Sequence, residues 1–198
     1  MLAALGESRE RMEENKLKEI IRDHKITVVH FSHYAVMAHR VVFPEDLKYA
    51  IDNYSSDTRS CCAIFPGHSM SLPGSVGVIF EIQKINDILS VSCQDSGASD
   101  YSGSEDSMGV EPTEHTITES LNHQVGSYNE WRIRGAKPTG IFVANPVNIM
   151  VKKEIQLNCA GEDFTEIGIN TVPLADIQAA FPDLPLYTMG VEGLEKVS

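Results

Sequence analysis

The sequence predicts an α+β protein in which an antiparallel sheet is accompanied by an N-terminal helix and short peripheral helices. Three observations point to this class. A helical pattern opens the chain, strand patterns dominate the remainder, and the later helical patterns are short. A chain of 198 residues is long enough to bury a core of its own, so residues 1–198 are expected to form a single domain.

The elements of the first half are predicted from local patterns. Residues 7–23 indicate an amphipathic helix, because apolar side chains recur there at helical spacing. Ile26–Phe31 is a continuous apolar and β-branched run, typical of a buried strand. Pro44 followed by two acids is typical of a helix start, and this helix is expected to end near Tyr54. Val76–Ile82 is the next predicted strand.

The second half contains one long polar stretch between strand patterns. From 90 to 120 there are seven acidic residues, no Lys or Arg, and many Ser and Gly, which predicts a flexible acidic loop at about 90–120. Tyr128–Arg134 and Gly140–Ala144 have strand patterns on either side of a turn, so we expect a hairpin. A further strand and a short helix are expected near the end of the chain: Ile149–Leu157 and Leu174–Phe181.

Charge and cysteine content narrow the possible partners and compartments. Sixteen Lys+Arg against twenty-eight Asp+Glu give a formal charge of −12, which disfavours nucleic acid as a partner because the phosphate backbone is repelled. The four cysteines form no CxxC pair, which favours free thiols in the cytoplasm or another reducing compartment. No apolar run reaches the roughly 18 residues of a membrane span, and the N-terminal segment becomes charged too early for a secretory signal.

Glu130 is the first candidate for a functional residue. In an extended strand it shares one face with Tyr128 and Arg132, whereas Trp131 and Ile133 share the opposite face and are expected in the core. A carboxylate in that position can stabilise a developing cation or orient a hydroxyl. The alternative is a solvated cross-strand partner of Arg132 or another base.

Two other segments carry residues with chemical potential. His30 and His33 have a spacing that could suggest a metal, but positions three apart in a strand point to opposite faces, so no metal site is predicted. Cys61 or Cys62 could act as a nucleophile if His115 or His123 lay close in space. The alternative is that the thiols are small buried hydrophobes. Neither a Walker sequence nor GxGxxG occurs.

Taken in order, four landmarks resemble those of ADP-ribosyltransferases: an early strand with a histidine, Val28-Val-His30-Phe-Ser; a short helix; a mid-chain strand, Gly74-Ser-Val-Gly-Val-Ile-Phe-Glu; and, after a variable loop, Tyr128-Asn-Glu130-Trp-Arg-Ile-Arg-Gly. Within that superfamily the sequence is most similar to the DNA-modifying toxin branch. There a His-x-Ser/Thr strand and an aromatic-Pro-Ser-Met-like turn precede an apolar strand, as in Phe65-Pro-Gly-His-Ser69-Met70. The resemblance spans roughly residues 26 to 144.

The resemblance implies a compact split antiparallel β-sandwich that binds NAD⁺, as a substrate, in the cleft between two small sheets. Glu130 matches the family glutamate, which engages the nicotinamide ribose and stabilises the oxocarbenium-like state. His30 matches the histidine that holds a ribose, with Phe31 and Ser32 beside the nicotinamide. The loop before the glutamate is implied to recognise the acceptor, and here it contains His123, Gln124 and Tyr128.

Some family features are changed or cannot be assigned. Phe31 follows the histidine where a His-Gly pair is usual, and Tyr128 stands where arginine-modifying members carry Glu or Gln, which disfavours arginine as the acceptor. Arg40 and Arg59 are the candidates for gripping the NAD⁺ phosphates, and Arg59 is the one we assign to cofactor binding. Tyr54 is a guess for the tyrosine that another branch uses.

The leading interpretation is an NAD⁺-dependent ADP-ribosyltransferase that modifies a protein or a small molecule. It includes an effector or toxin that is delivered into a host or target cell. A second interpretation is a cysteine-dependent hydrolase or deamidase that uses Cys61 or Cys62 with His123. A third is a non-enzymatic acidic module that binds a basic partner surface.

Overall fold

A computed structural model describes residues 14–32, 43–95, 109–122, 128–159 and 162–197, with the backbone alone for 152–169. The helices in these ranges are α1 (14–23), α2 (Glu45–Asp52), α3 (Glu114–Asn122) and α4 (Leu174–Ala180), with a 3₁₀ turn at Ile85–Asp87. The strands are β1 (Thr27–Phe31), β2 (Arg59–Ile64), β3 (Val76–Glu81), β4 (Ile88–Ser92), β5 (Glu130–Ile133), β6 (Lys137–Val143), β7 (Ile149–Cys159), β8 (Glu162–Val172), β9 (Leu186–Gly190) and β10 (Gly193–Lys196).

Eight of the strands form one mostly antiparallel sheet. Its order is β10-β9-β6-β3-β1-β2-β5-β4, and the pair β6–β9 is parallel. The remaining two strands, β7 and β8, pair with each other in a separate two-stranded sheet. The predicted α+β class, with its antiparallel sheet and N-terminal helix, is therefore confirmed.

Strand β2 changes partner halfway along its length. Its first three residues, Arg59 to Cys61, pair with β5. Its last three residues, Cys62 to Ile64, pair with β1. The large sheet is therefore divided at β2, and we call this place the β2 junction.

The two faces of the large sheet have different cores. The helix face carries the larger apolar cluster, to which every described α-helix contributes at least one buried residue, among them Leu17, Leu47, Ile117 and Ile177. The second face carries a smaller cluster that includes Val29, Phe31, Cys62, Ile64 and Met70. Side chains alternate between the faces along each strand, so neighbouring residues of β1 and β2 belong to different clusters.

The predicted β5–β6 hairpin is wrong. Strand β5 pairs with β2 and β4, whereas β6 pairs with β3 and β9. Between them Gly135 has a positive φ of 82° and its N–H donates to Tyr54 O, so the chain leaves β5 instead of folding back on it. Strand β6 also begins at Lys137, inside the predicted turn.

The predicted loop at about 90–120 contains regular structure at both ends. Strand β4 continues to Ser92, and α3 begins at Glu114. The helix forms because Thr113 caps its first turn, with Oγ1 accepting a hydrogen bond from Thr116 N at 3.2 Å. Ile117 and Leu121 then bury one face of it.

A long apolar helix of the kind that crosses a bilayer is not found in the described part of the chain.

Candidate active site

The candidate site is built where three strands meet at the β2 junction. Glu130 is the first residue of β5 and pairs with Ser92 of β4, one position beyond the last β5–β2 pair, Trp131–Cys61. His30 lies one position beyond the last β1–β2 pair, Val29–Cys62. The two residues therefore flank β2 from opposite sides. Two strand spacings separate β1 from β5, so the Cα atoms of His30 and Glu130 lie on the order of 10 Å apart.

Glu130 is buried. Only 6% of it is exposed, whereas the neighbouring Arg132 is exposed to solvent. The solvated cross-strand role considered for Glu130 therefore does not describe this residue. A buried carboxylate costs free energy unless hydrogen bonds or charges compensate it.

Glu130 lies on the second face of the sheet, because Trp131 and Ile133 alternate onto the helix face. Its immediate neighbours there include Cys62 and Tyr128. Burial, and then the charge of Glu130, raise the pKa of the Cys62 thiol. The same charge contributes to the raised pKa of Tyr128, for which burial and Asp95 are the larger causes. The strand register, which puts Glu130 beside Cys62, and the packing of Tyr128 against the cluster that contains Cys62 bring one carboxyl group, one thiol and one phenol together.

Tyr128 is held by a residue that sequence reasoning did not single out. Its hydroxyl donates to Asp95 Oδ2 at 2.6 Å, just beyond the end of β4. In the sequence Asp95 is one acid of the acidic stretch, and the signal for its pairing is weak because the hydrogen bond joins residues 33 positions apart. Tyr128 itself is half-buried and packs against the second-face cluster.

His30 is the first residue of β1 beyond the β1–β2 pairs, and its ring contacts the main chain of β2. Its Nδ1 lies 2.7 Å from Ser60 O, and because a carbonyl oxygen only accepts, Nδ1 carries the proton. In the neutral ring Nε2 is then the acceptor. Alternation along β1 puts the Cβ of His30 on the helix face with Val28, and Phe31 on the second face with Glu130.

Phe31 is the last residue of β1 and Ser32 follows it, and both are buried. The Phe31 ring meets Phe142 edge-to-face at 5.8 Å, and it belongs to the same cluster as Cys62. The Ser32 hydroxyl donates to Asp46 Oδ2, and Asp46 Oδ1 accepts from Leu47 N at 2.8 Å. Ser32 thus ties the end of β1 to the first turn of α2.

Arg59 is not brought to Glu130. It alternates with Cys61 and Ala63 onto the helix face. Its guanidinium pairs with Asp57 at 3.2 Å and lies 5.2 Å from the ring centroid of Tyr49. The structure gives Arg59 a role in holding α2 and the following loop against β2.

Several predicted residues lie outside the described ranges. His123 and Gln124, the other residues assigned to acceptor recognition, precede the described segment that begins at 128. The same holds for His33 and Arg40 in the segment after β1.

A buried network fixes β5, and thereby Glu130, in place. The Asn129 amide bonds the main chain of Ala63 in both directions, accepting from its N–H at 2.8 Å and donating to its carbonyl at 3.0 Å. Asn129 Nδ2 also lies 3.1 Å from Ser120 O, and Trp131 Nε1 donates to Ser120 Oγ at 2.9 Å. Helix α3 is therefore joined to both residues that flank Glu130.

The two adjacent cysteines are poor nucleophiles in this environment. Burial is the largest cause that raises the pKa of the Cys61 thiol and of the Cys62 thiol well above the usual range. Reactive cysteines need the opposite shift, because the thiolate is the nucleophile.

Among the described residues, no group of three His, Cys, Asp or Glu has the geometry of a metal site.

The described residues also form a groove at a distance from Glu130. A groove of about 840 Å³ runs between α1, the 3₁₀ turn and α3, and it is lined by Leu17, Ile20, Leu89 and Pro112 among others. None of the predicted site residues within the described ranges lines it.

Neither the models of known protein families nor the curated proteins nor the solved structures include a match to this chain.

Proposed function

We propose that this chain is an NAD⁺-dependent ADP-ribosyltransferase in which Glu130 stabilises the departing nicotinamide ribose. The observation that carries the proposal is the burial of Glu130, 6% exposed, at the junction of the strands that bear the family-like landmarks. A carboxylate withdrawn from bulk water stabilises a developing positive charge more strongly than a solvated one does.

The arrangement of the strands supports the proposal. The landmark strands β3, β1 and β5 are separated in the chain but lie within four consecutive strands of the sheet, in the order β3-β1-β2-β5. The histidine strand and the glutamate strand both border β2 at the junction. Phe31 at the end of β1 and Glu130 at the start of β5 are thereby brought from distant parts of the sequence to the same face of the sheet.

The proposed reaction gives each of these residues a distinct role. The bond between the nicotinamide nitrogen and the ribose carbon breaks, and its electron pair goes to nicotinamide. Glu130 stabilises the positive charge that develops on the ribose. A lone pair of the acceptor forms the new bond to the same carbon, and the acceptor's proton goes to Glu130 or to water. Phe31, which alternation along β1 puts on the same face as Glu130, can pack beside the nicotinamide. His30 lies on the opposite face, where its Nδ1 hydrogen bond to Ser60 O joins β1 to β2.

The acceptor is proposed to be a protein or a small molecule, because a formal charge of −12 disfavours nucleic acid. A reducing compartment is supported by the free thiols of Cys61, Cys62 and Cys93. The raised pKa values of Cys61 and Cys62 do not support the alternative of a cysteine hydrolase.

Product analysis tests the proposal. The purified chain is incubated with NAD⁺, and nicotinamide and ADP-ribosyl products are separated by chromatography. We expect the wild type to release nicotinamide and Glu130→Gln to be slower by roughly two to three orders of magnitude, as for loss of an electrostatic catalytic group. Glu81→Gln is the matched control, because Glu81 ends β3 and is exposed. Equal rates for Glu130→Gln and the wild type would remove the basis of the proposal.

A further inference from the structure

The hydrogen bond between Tyr128 and Asp95 sets the direction in which the Tyr128 hydroxyl can interact with a substrate. A phenol has one proton to donate and lone pairs to accept. The donor–acceptor distance of 2.6 Å to Asp95 Oδ2 is that of a charge-assisted bond, which is stronger than a bond between neutral groups. The proton of Tyr128 is therefore committed to Asp95.

This commitment leaves the Tyr128 oxygen as a hydrogen-bond acceptor. Tyr128 is half-buried and shares its surroundings with the charge of Glu130 and the Cys62 thiol. Glu130 also presents carboxyl oxygens on this face of the sheet. The side of the candidate site beside Glu130 is thus rich in hydrogen-bond acceptors.

From this geometry we infer that Asp95 is a positioning residue. Because Asp95 accepts the Tyr128 proton, it selects acceptor substrates whose nucleophilic group is itself a hydrogen-bond donor. The favoured nucleophile is a neutral N–H or O–H group, whose hydrogen the Tyr128 oxygen accepts. An anionic oxygen of a phosphate or carboxylate has no hydrogen to offer there and meets the repulsion of Glu130 and Asp95. The inference rests on the proposed transferase function and specifies its substrate class.

The transfer step is balanced for such a nucleophile. The ribose–nicotinamide bond breaks with its electron pair going to nicotinamide, and the acceptor oxygen or nitrogen forms the new bond. The acceptor's proton passes to Glu130 or to solvent, so the net products are nicotinamide, the ADP-ribosylated acceptor and a proton. Asp95 and Tyr128 orient the attacking group and exchange no proton with it in the net reaction.

Competition between two small probes tests this inference. Methanol carries one O–H, whereas acetate at neutral pH presents only anionic oxygens, and both are added at equal concentration with NAD⁺. We expect the wild type to form the methyl glycoside of ADP-ribose and to use acetate at least roughly fivefold less, the scale of one hydrogen bond. Asp95→Ala frees the Tyr128 proton and is expected to reduce this preference by a similar factor.

Two further variants separate the direction of the Tyr128–Asp95 hydrogen bond from the charge of Asp95 and from a structural role of Asp95. Asp95→Asn retains an oxygen that can accept from Tyr128 and is expected to keep most of the preference. In a Tyr128→Phe background, Asp95→Ala is expected to change the preference no further, because the hydroxyl through which Asp95 acts is absent. A merely structural role of Asp95 predicts neither the recovery in Asp95→Asn nor this loss of coupling.

A second tyrosine–aspartate pair provides the control. Tyr49 OH donates to Asp57 Oδ2 at 2.9 Å on the exposed surface of the protein, and Asp57→Ala is expected to leave the probe preference unchanged. The inference is overturned if Asp95→Ala and Asp95→Asn shift the preference equally, or if the wild type uses both probes equally. Absence of nicotinamide release from the wild type would instead refute the proposed function, so the two failures are distinguishable.

Discussion

The side-chain amide of Asn129 pairs with the main chain of Ala63 as a neighbouring strand would, accepting from its N–H at 2.8 Å and donating to its carbonyl at 3.0 Å. Ala63 lies on β2 two positions after Cys61, which forms the last β5–β2 pair with Trp131. The amide therefore satisfies the Ala63 backbone on the side that faces away from β1, and lets β5 diverge without leaving buried polar groups unpaired.

Replacing Asn129 is expected to destabilise the protein strongly. Asn129→Ala removes three buried hydrogen bonds and leaves main-chain groups of Ala63 and Ser120 without their partner. Since an unsatisfied buried group costs about 1–3 kcal/mol, we expect the free energy of unfolding in urea to fall by about 3 kcal/mol. Asn53→Ala is the matched control, because Asn53 Nδ2 bonds Tyr49 O at an exposed site. Similar losses for the two variants would contradict this account of the junction.

The bond between helix α3 and β5 can be followed by fluorescence. Trp131 is the one tryptophan of the chain, and its Nε1 donates to Ser120 Oγ at 2.9 Å in the fully buried interior. Ser120→Ala leaves that indole N–H unpaired, so we expect a blue-shifted emission and a loss of about 1–2 kcal/mol in unfolding free energy. Ser56→Ala, at an exposed hydroxyl, is expected to change neither. An unshifted emission spectrum for Ser120→Ala would contradict the hydrogen bond between the Trp131 indole and Ser120 Oγ.

Cys61 and Cys62 are expected to resist alkylation in the folded protein. Burial raises the pKa of both thiols well above the usual range, so the thiolate that iodoacetamide attacks is scarce at neutral pH. Labelling followed by peptide mapping is expected to modify these two positions only after unfolding in urea, and Cys93, which is partly exposed, before them. Rapid labelling of Cys61 or Cys62 at pH 7 would instead favour the cysteine-enzyme interpretation.

The same thiols predict a loss of stability at alkaline pH. A thiol whose pKa is raised on folding stabilises the folded state fully below its unfolded pKa, near 9.0, and this contribution is lost as pH rises above that value. Each such group adds about 1.4 kcal/mol per pH unit to the decline. We expect Cys62→Ala to lower stability at pH 7 but to show a shallower decline from pH 9 upward in urea unfolding. Parallel declines for the variant and the wild type would contradict the burial of an ionisable thiol there.

Elements that depend on neighbouring residues could be predicted from the sequence. The β-branched run of β1, the proline and acids before α2, and the apolar run of β3 each contain their own signal. Alternation also predicted that Trp131 and Ile133 enter the core, and both are buried. The capping residue Thr113 with Ile117 and Leu121 at helical spacing could have revealed α3, but the acidic and serine-rich composition around it dominated the interpretation.

Features that depend on strands meeting from distant positions could not be predicted in this way. The β5–β6 hairpin was inferred from closeness in the chain, whereas β5 pairs with β2 some 70 positions earlier. The burial of Glu130 follows from that pairing and from β4, and nothing in the local pattern of β5 specifies it. The same reason applies to Asp95, which meets Tyr128 only because β4 and β5 are adjacent.

The most direct test of the account combines NAD⁺ binding with NAD⁺ turnover in a single variant, Glu130→Gln. Binding is measured by isothermal titration calorimetry and turnover by nicotinamide release, with Glu81→Gln alongside. The account predicts that Glu130→Gln still binds NAD⁺ while its nicotinamide release falls by roughly two to three orders of magnitude. A wild-type protein that neither binds nor cleaves NAD⁺, or a Glu130→Gln variant that turns it over at the wild-type rate, would contradict the central role assigned to Glu130.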